Sequence, residues 1–230
     1  MSLQTSKHHL DTVVIRGGQT GLAMGYLLAR QVRDFVILDA GSSVGETWRN
    51  RWDSLRLFTP AFHNGLPGMP FPAPRSYFPT KDEMADYLEA YASKFDLPVC
   101  FGRQVDSLSR YDDAYLVSAG YERYVSEHIV VATGPYQHPK IPGFAARLDP
   151  AISQLHSSAY RNPDQLPEAD VLWWVPETRG RRSPWISPLP AGRTSPGGTP
   201  DTYPSTSSTI ASPCGWLTTC SPPTPGSTGR

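Results

Sequence analysis

Paired cysteines are missing from this 230-residue chain. Of its three, Cys100 stands far from Cys214 and Cys220, so there is neither a C-x-x-C redox pair nor a paired thiolate metal site. No apolar run approaches the roughly 18 residues that span a bilayer. The start, Met1 to Leu10, is polar and basic without an apolar signal core, so a cytoplasmic setting with no membrane partner is expected. Neither sign of charge is in excess, with 21 Lys and Arg against 21 Asp and Glu. That balance gives no basic stripe for nucleic acid and no acidic solvating tail. The six histidines show no ligand spacing, so no metal is expected. His8 and His9 fall in a terminus, residues 1–10, expected to be frayed and disordered. What remains is a chain of one domain, or one and a fragment, whose partners are small molecules.

The organising stretch is V-V-I-R-G-G-Q-T-G-L-A-M-G, Val13 to Gly25. A β-branched run enters a glycine cluster (Gly17, Gly18, Gly21) and leaves through apolar residues at helical spacing, which reads as strand, tight turn, helix. Glycines let a backbone approach a pyrophosphate, and a helix N-terminus aims unpaired N–H groups at it. A second apolar run, Phe35 to Leu38, ends at Asp39, whose carboxylate can accept from ribose hydroxyls. The motif G-x-G-x-x-G is imperfect, because Arg16 holds the place of its first glycine. Only Gly18 and Gly21 stand in register, and Arg16 is expected to strain or tilt the turn and put cofactor affinity at risk.

Further along, Gly41 to Arg49 reads as a loop entering a short helix, with Trp48 and Arg49 placed to lie along a ligand's ribityl or phosphate portion. Core packing is the alternative use of Trp48. Trp52 to Phe78 is rich in Pro, Phe and Gly without periodicity, a loop long enough to need something to pack on and expected to wall the cofactor. Thr80-Lys81-Asp82-Glu83 is a capping box. It opens a helix to about Phe95 that buries Met84, Tyr87, Leu88, Tyr91 and Phe95. A strand at Val99 to Phe101 precedes three alternating stretches, Gln104 to Leu108, Ala114 to Ser118 and Tyr121 to Val125, which form an antiparallel meander. A separate buried strand, His128 to Ala132, ends in small residues, Thr133 and Gly134, that again suit close approach of a dinucleotide.

The ordered set of glycine loop, Asp39, G-E-T-W-R, W-D-S-L-R-L-F-T-P, A-T-G-P-Y and H-S-S-A-Y-R-N-P resembles the flavin-containing monooxygenase group of two-dinucleotide-binding-domain flavoproteins, over about residues 11 to 172. The resemblance implies an α/β fold: a Rossmann-like FAD-binding domain with a parallel sheet and an antiparallel β-meander. It implies FAD held by Gly17, Gly18, Gln19, Thr20 and Gly21, by Asp39 and Ala40, by Thr47, Trp48 and Arg49, by Val105, and by Ala132, Thr133 and Gly134. It also implies NADPH as reductant and molecular oxygen as co-substrate, with one oxygen atom passing to a soft nitrogen or sulfur or to a ketone. No catalytic acid, base or nucleophile can be named, because the cofactor does the hard step. The family fingerprint F-x-G-x-x-x-H-x-x-x-[FY] is half present. His156 and Tyr160 fit, while Pro150 and Ile152 hold the Phe and Gly places. A flavin reductase that inserts no oxygen and a non-catalytic nucleotide-binding remnant remain open alternatives.

From Trp173 the composition changes. Ser, Thr, Pro and Gly make up well over half of residues 173–230, lysine is absent there, and nearly half of the chain's 24 prolines fall there. Such a segment is expected to be disordered. The resemblance calls instead for a second strand and glycine loop, for NADPH. Trp173 to Thr178 must be encoded TGG-TGG-GTN-CCN-GAR-ACN, and one G restored before them gives GTG-GTG-GGT-NCC-NGA-RAC. That reads Val, Val, Gly, then permits Ala, Gly, Asn. Residues 173–230 are therefore read as a frameshift product, and 11–172 as an incomplete FAD-binding domain whose last pieces and NADPH loop are lost.

Overall fold

A computed structural model describes residues 7–134, 138–167, 170–174, 185–186 and 216–220. The chain falls into two units, Met1–Gln137 and His138–Arg230.

In the first unit, β1 (Lys7–Ile15), α1 (Gln19–Arg30) and β2 (Phe35–Leu38) form the expected strand–turn–helix–strand. A short helix α2 (Glu46–Arg49), a long helix α3 (Lys81–Lys94) and strands β3 (Val99–Cys100), β4 (Ser107–Tyr111), β5 (Ala114–Ala119) and β6 (Glu122–Val131) follow. The six strands make one sheet in the order β3-β2-β1-β6-β5-β4. β3, β2, β1 and β6 run parallel, and β6, β5 and β4 antiparallel. This is the mixed α/β arrangement that the sequence implies.

The chain leaves β1 toward β2 on one side and returns in β6 on the other. The carboxyl end of β1 is thus a switch point of strand order, where open α/β sheets form a ligand crevice. β1 and β2 bury residues on both faces, as parallel strands do. Val14, Phe35 and Ile37 join a core with Leu22, Met84, Tyr87, Leu88 and Tyr91. Val13, Ile15, Val36 and Leu38 join a second core with Val117, Ala119 and Tyr124.

Two boundaries differ from the sequence reading. β1 already begins at Lys7, where His8 pairs with Tyr124 across the ladder and stacks on its ring at 4.9 Å. Lys7 to Leu10 is therefore paired strand and not frayed chain. The third meander stretch and the strand at His128 are also one ten-residue strand, β6. Nothing between Val125 and His128 breaks it, since Ser126 is buried and its hydroxyl donates to the carbonyls of Asp11 and His128.

The long segment between α2 and α3 contains one short helical turn, Ala61–His63. Its apolar residues go to the helical core: Leu57, Ala61 and Phe71 are buried in it. Two tyrosines of α3 fasten it. The Tyr87 hydroxyl accepts from Leu66 N and donates to Met69 O, both at 2.6 Å, and Tyr91 donates to Pro67 O at 2.7 Å. α3 starts at the predicted capping box, with Glu83 N donating to Thr80 Oγ1 at 3.2 Å and Thr80 N to Glu83 Oε2 at 2.7 Å.

In the second unit, β7 (Ser153–His156), β8 (Asp170–Trp174), β9 (Trp185–Ile186) and β10 (Trp216–Cys220) form an antiparallel sheet in the order β7-β10-β8-β9. From Trp173 onward, the described residues are those of β8, β9 and β10, which hold the β-prone Trp, Ile and Thr of that segment. The rest of it, and with it the expected disorder, lies outside the described residues.

Candidate functional site

The carboxyl ends of β1, β2 and β6 converge. Ala132 N donates to Ile15 O at 3.0 Å, so the exit of β6 lies beside the exit of β1. Asp39, at the end of β2, binds both neighbouring turns: its Oδ2 accepts from Gly17 N at 2.6 Å and its Oδ1 from Gly41 N at 2.7 Å. A second cross-link, Arg103 N to Asp39 O at 2.8 Å, lays the segment leading to Val105 along the same edge. Each carboxylate oxygen keeps acceptor capacity. Asp39 can therefore clamp the glycine turn and still face a ribose.

Gly21 is required by close approach, because a Cβ there would lie 1.9 Å from Arg16 O. Gly18 is the N-cap of α1, and a Cβ there would meet nothing within 4 Å. The helix opening has no side-chain cap and no acidic residue in its first turn, where Gln19 and Thr20 are exposed. First-turn N–H groups without side-chain acceptors suit an anion. The residues present thus fit the pyrophosphate of a dinucleotide.

Arg16 does adopt the left-handed region, with φ +92°. For a residue with a Cβ this costs about 1–2 kcal/mol. Its Nη2 lies 3.4 Å from Thr47 Oγ1 in α2.

Helix α2 is held to α3 and not to the sheet edge. Gly45 precedes it at φ +80°, where a Cβ would collide with the Ala85 backbone at 2.8 Å. Both terminal nitrogens of Arg49 are engaged at 2.8 Å, by Asp86 and by Glu89. The Asp86 hydrogen bond foremost, opposed in part by desolvation, raises the guanidinium pKa above its ordinary value. Lys81 Nζ donates to Arg49 O at 3.1 Å and secures the helix end. Trp48 packs partly buried against the helical core. Of the G-E-T-W-R stretch, Thr47 thus comes within 3.4 Å of Arg16 in the glycine turn, whereas Arg49 is committed to α3. Glu46 Oε2 accepts from Ser42 N and Oγ at 2.6 and 3.2 Å, and the Ser42 backbone bond chiefly lowers its pKa.

Gly17, Gly18, Gln19, Thr20 and Gly21 therefore lie at one edge with Asp39, Ala40 and Ala132, and Thr133 and Gly134 continue from it. Val105 packs against the second core. Sequence reasoning missed Gly41 as a partner of Asp39. It also missed Lys81, Asp86 and Glu89 as the anchors of α2; only the i, i+3 spacing of Asp86 and Glu89 could have signalled a shared partner. In the second unit, His156 Nδ1 is 2.8 Å from Ser158 Oγ, and burial lowers the imidazole pKa. Among the described residues, no group of three or more His, Cys, Asp or Glu could hold a metal, and no helix is long and apolar enough to cross a membrane.

Comparison with known proteins agrees with this geometry. The chain is 47% identical over 166 residues to an uncharacterized CzcO-like oxidoreductase of Geobacillus kaustophilus (strain HTA426), covering 72% of this chain and 48% of the relative. It is 40% identical over 162 residues to the uncharacterized oxidoreductase CzcO of Bacillus subtilis (strain 168), covering 70% and 47%. A solved flavin monooxygenase from Stenotrophomonas maltophilia, in a doubly substituted form, superposes with a TM-score of 0.67 at 35% identity, over 70% of this chain and 49% of that one. The chain spans about half the length of the curated relatives it matches. The family pattern described as pyridine nucleotide-disulphide oxidoreductase covers residues 13–172. With the glycine turn, the Asp39 clamp and the β6 exit all inside that span, the chain belongs to the pyridine nucleotide-disulphide oxidoreductase family.

Proposed function

We propose that this chain is the FAD-binding portion of a flavin monooxygenase-type oxidoreductase. The observation that carries the reading is the uncapped opening of α1 at Gly18, beside the Asp39 clamp, at the switch point of the sheet. The N–H groups of Gln19, Thr20 and Gly21 would receive the pyrophosphate, Asp39 with Ala40 the ribose, and Ala132 to Gly134 the opposite lip. Thr47 and Trp48 would border the flavin half. In a complete enzyme of this type, FAD reduced by NADPH would supply the electrons for monooxygenation, one atom of molecular oxygen going to a small substrate bearing nitrogen, sulfur or a carbonyl and the other leaving as water. This chain's own contribution is to bind, orient and exclude water. The absence of paired cysteines disfavours a dithiol relay, despite the disulphide in the family's description.

We further propose that residues from Trp173 derive from a shifted reading frame. The family match ends at residue 172, next to the first reassigned codon. On this reading the NADPH loop is lost, and the chain holds FAD weakly or not at all and does not turn over NADPH. Sequencing the gene through codon 172 tests the frame; a clean read, with relatives sharing the same tail, would remove it. Incubation with excess FAD, desalting and an absorbance spectrum test the site. Weakly retained or absent flavin with no NADPH oxidation is expected, and a yellow protein that oxidises NADPH would overturn the impaired reading.

A further inference from the structure

Arg16 enters the sequence reading only as a flaw, and its backbone is indeed strained. That strain is present in the folded chain with or without a ligand, so by itself it does not enter affinity, which depends on differences between bound and free states. What can enter affinity is the guanidinium. Arg16 stands two residues before the N-cap of α1, and its Nη2 reaches across to Thr47 Oγ1. At 3.4 Å this contact lies beyond the usual N–H···O range. Among the described residues Arg16 makes no ion pair within 4 Å, and its charge acts on Glu46 only as the last of the influences that lower that carboxyl's pKa.

The neighbouring charges are otherwise committed. Arg49 is held by Asp86 and Glu89. The Asp39 carboxylate accepts from Gly17 N and Gly41 N. Glu46 accepts from Ser42. Arg16 is therefore the cation left loosely held beside the open helix start, where Gly18 leaves space and the first-turn N–H groups are uncapped.

We infer that Arg16 is a phosphate-binding residue of this turn, adding a guanidinium to the backbone N–H cradle, with a nucleoside diphosphate moiety as its ligand class. The inference rests on the glycine turn being a dinucleotide cradle. A planar guanidinium suits phosphate oxygens, and the bond is charge-assisted. Replacing the motif's first glycine thus exchanges turn relaxation for a charged contact.

The test is calorimetric titration of the parent chain, Arg16→Gln and Arg16→Gly with ADP and, separately, with adenosine. The expected result is a loss of about tenfold in ADP affinity for both variants, with adenosine affinity unchanged and the loss shrinking as salt is raised. Arg16→Gly serves as the variant that cannot fail through strain. Equal or tighter ADP binding by both variants would overturn the role of Arg16 while leaving the cradle intact. Failure of the parent chain to bind ADP at all would overturn the cradle reading and the role of Arg16 together.

Discussion

The two faces of the six-stranded sheet are built from very different amounts of chain. One carries α1, α3 and the long connecting segment, with fourteen buried side chains from Val14 to Leu97 in one cluster. The other is closed by the sheet's own meander, with seven, including Val117, Ala119 and Tyr124. The difference teaches where the cofactor edge gets its rigidity. Gly25 of α1 lies so close to the sheet that a Cβ would be 2.7 Å from Ile37 Cδ1, so the helix that would point at the phosphate is seated on the thick side. The largest test is therefore Tyr91→Ala. Tyr91 is fully buried in that core and its hydroxyl fastens the connecting segment, so truncation should cost about 3–5 kcal/mol. Val117→Ala, equally buried on the thin side, should cost only about 1.5–3 kcal/mol. Urea unfolding of both variants checks this, and equal losses would erase the distinction between the faces.

The thick face was legible in sequence because its signals are local. The capping box at Thr80, the helical spacing of Met84, Tyr87, Leu88 and Tyr91, and the β-branched run into Gly17 each lie within one element. The meander's presence was legible too, since Asp112-Asp113 and Ala119-Gly120 mark its turns. What stayed hidden depends on pairing between distant segments. β6 runs unbroken through Ser126 because that hydroxyl is satisfied by Asp11 and His128, and the Asp11 partner lies 115 residues away in sequence. Arg49 is drawn to Asp86 and Glu89 because Gly45 lets α2 lie on Ala85, which no spacing around Trp48 reveals. Arg16 was legible as a backbone misfit, but the direction of its side chain was not.

A smaller effect is expected at the edge shared by both faces. Arg16→Gly removes a Cβ from a residue at φ +92° and should raise unfolding stability by about 1–2 kcal/mol. Thermal or urea midpoints measure it. Taken with the predicted loss of ADP affinity, the result would be a more stable chain with a poorer site, a trade often found at strained functional positions. A neutral or destabilising outcome would mean that the turn gains more from the Thr47 contact than the left-handed backbone costs.

The smallest effect concerns how the thick face begins. Thr80→Ala deletes the acceptor for Glu83 N and should cost about 1 kcal/mol. The other half of the box is sensitive to pH. Glu83 accepts from Thr80 N and from the Tyr77 hydroxyl, and the Thr80 backbone bond, ahead of the opposing desolvation, lowers its pKa from the ordinary 4.5. A carboxyl whose pKa falls on folding contributes stability that is fully present above the unfolded value and is lost as pH falls through the lowered folded value. Glu83→Gln should therefore sit below the parent in midpoint at pH 7 and approach it as pH drops below about 4.5. Because Glu83 is largely solvated, the narrowing should be small, and no such pH dependence is expected for Val117→Ala on the thin face. A gap between Glu83→Gln and parent that stays constant from pH 7 to pH 3 would mean that the carboxylate's charge contributes nothing to this cap, and that the helix start is held by Thr80 and by the packing of Met84 alone.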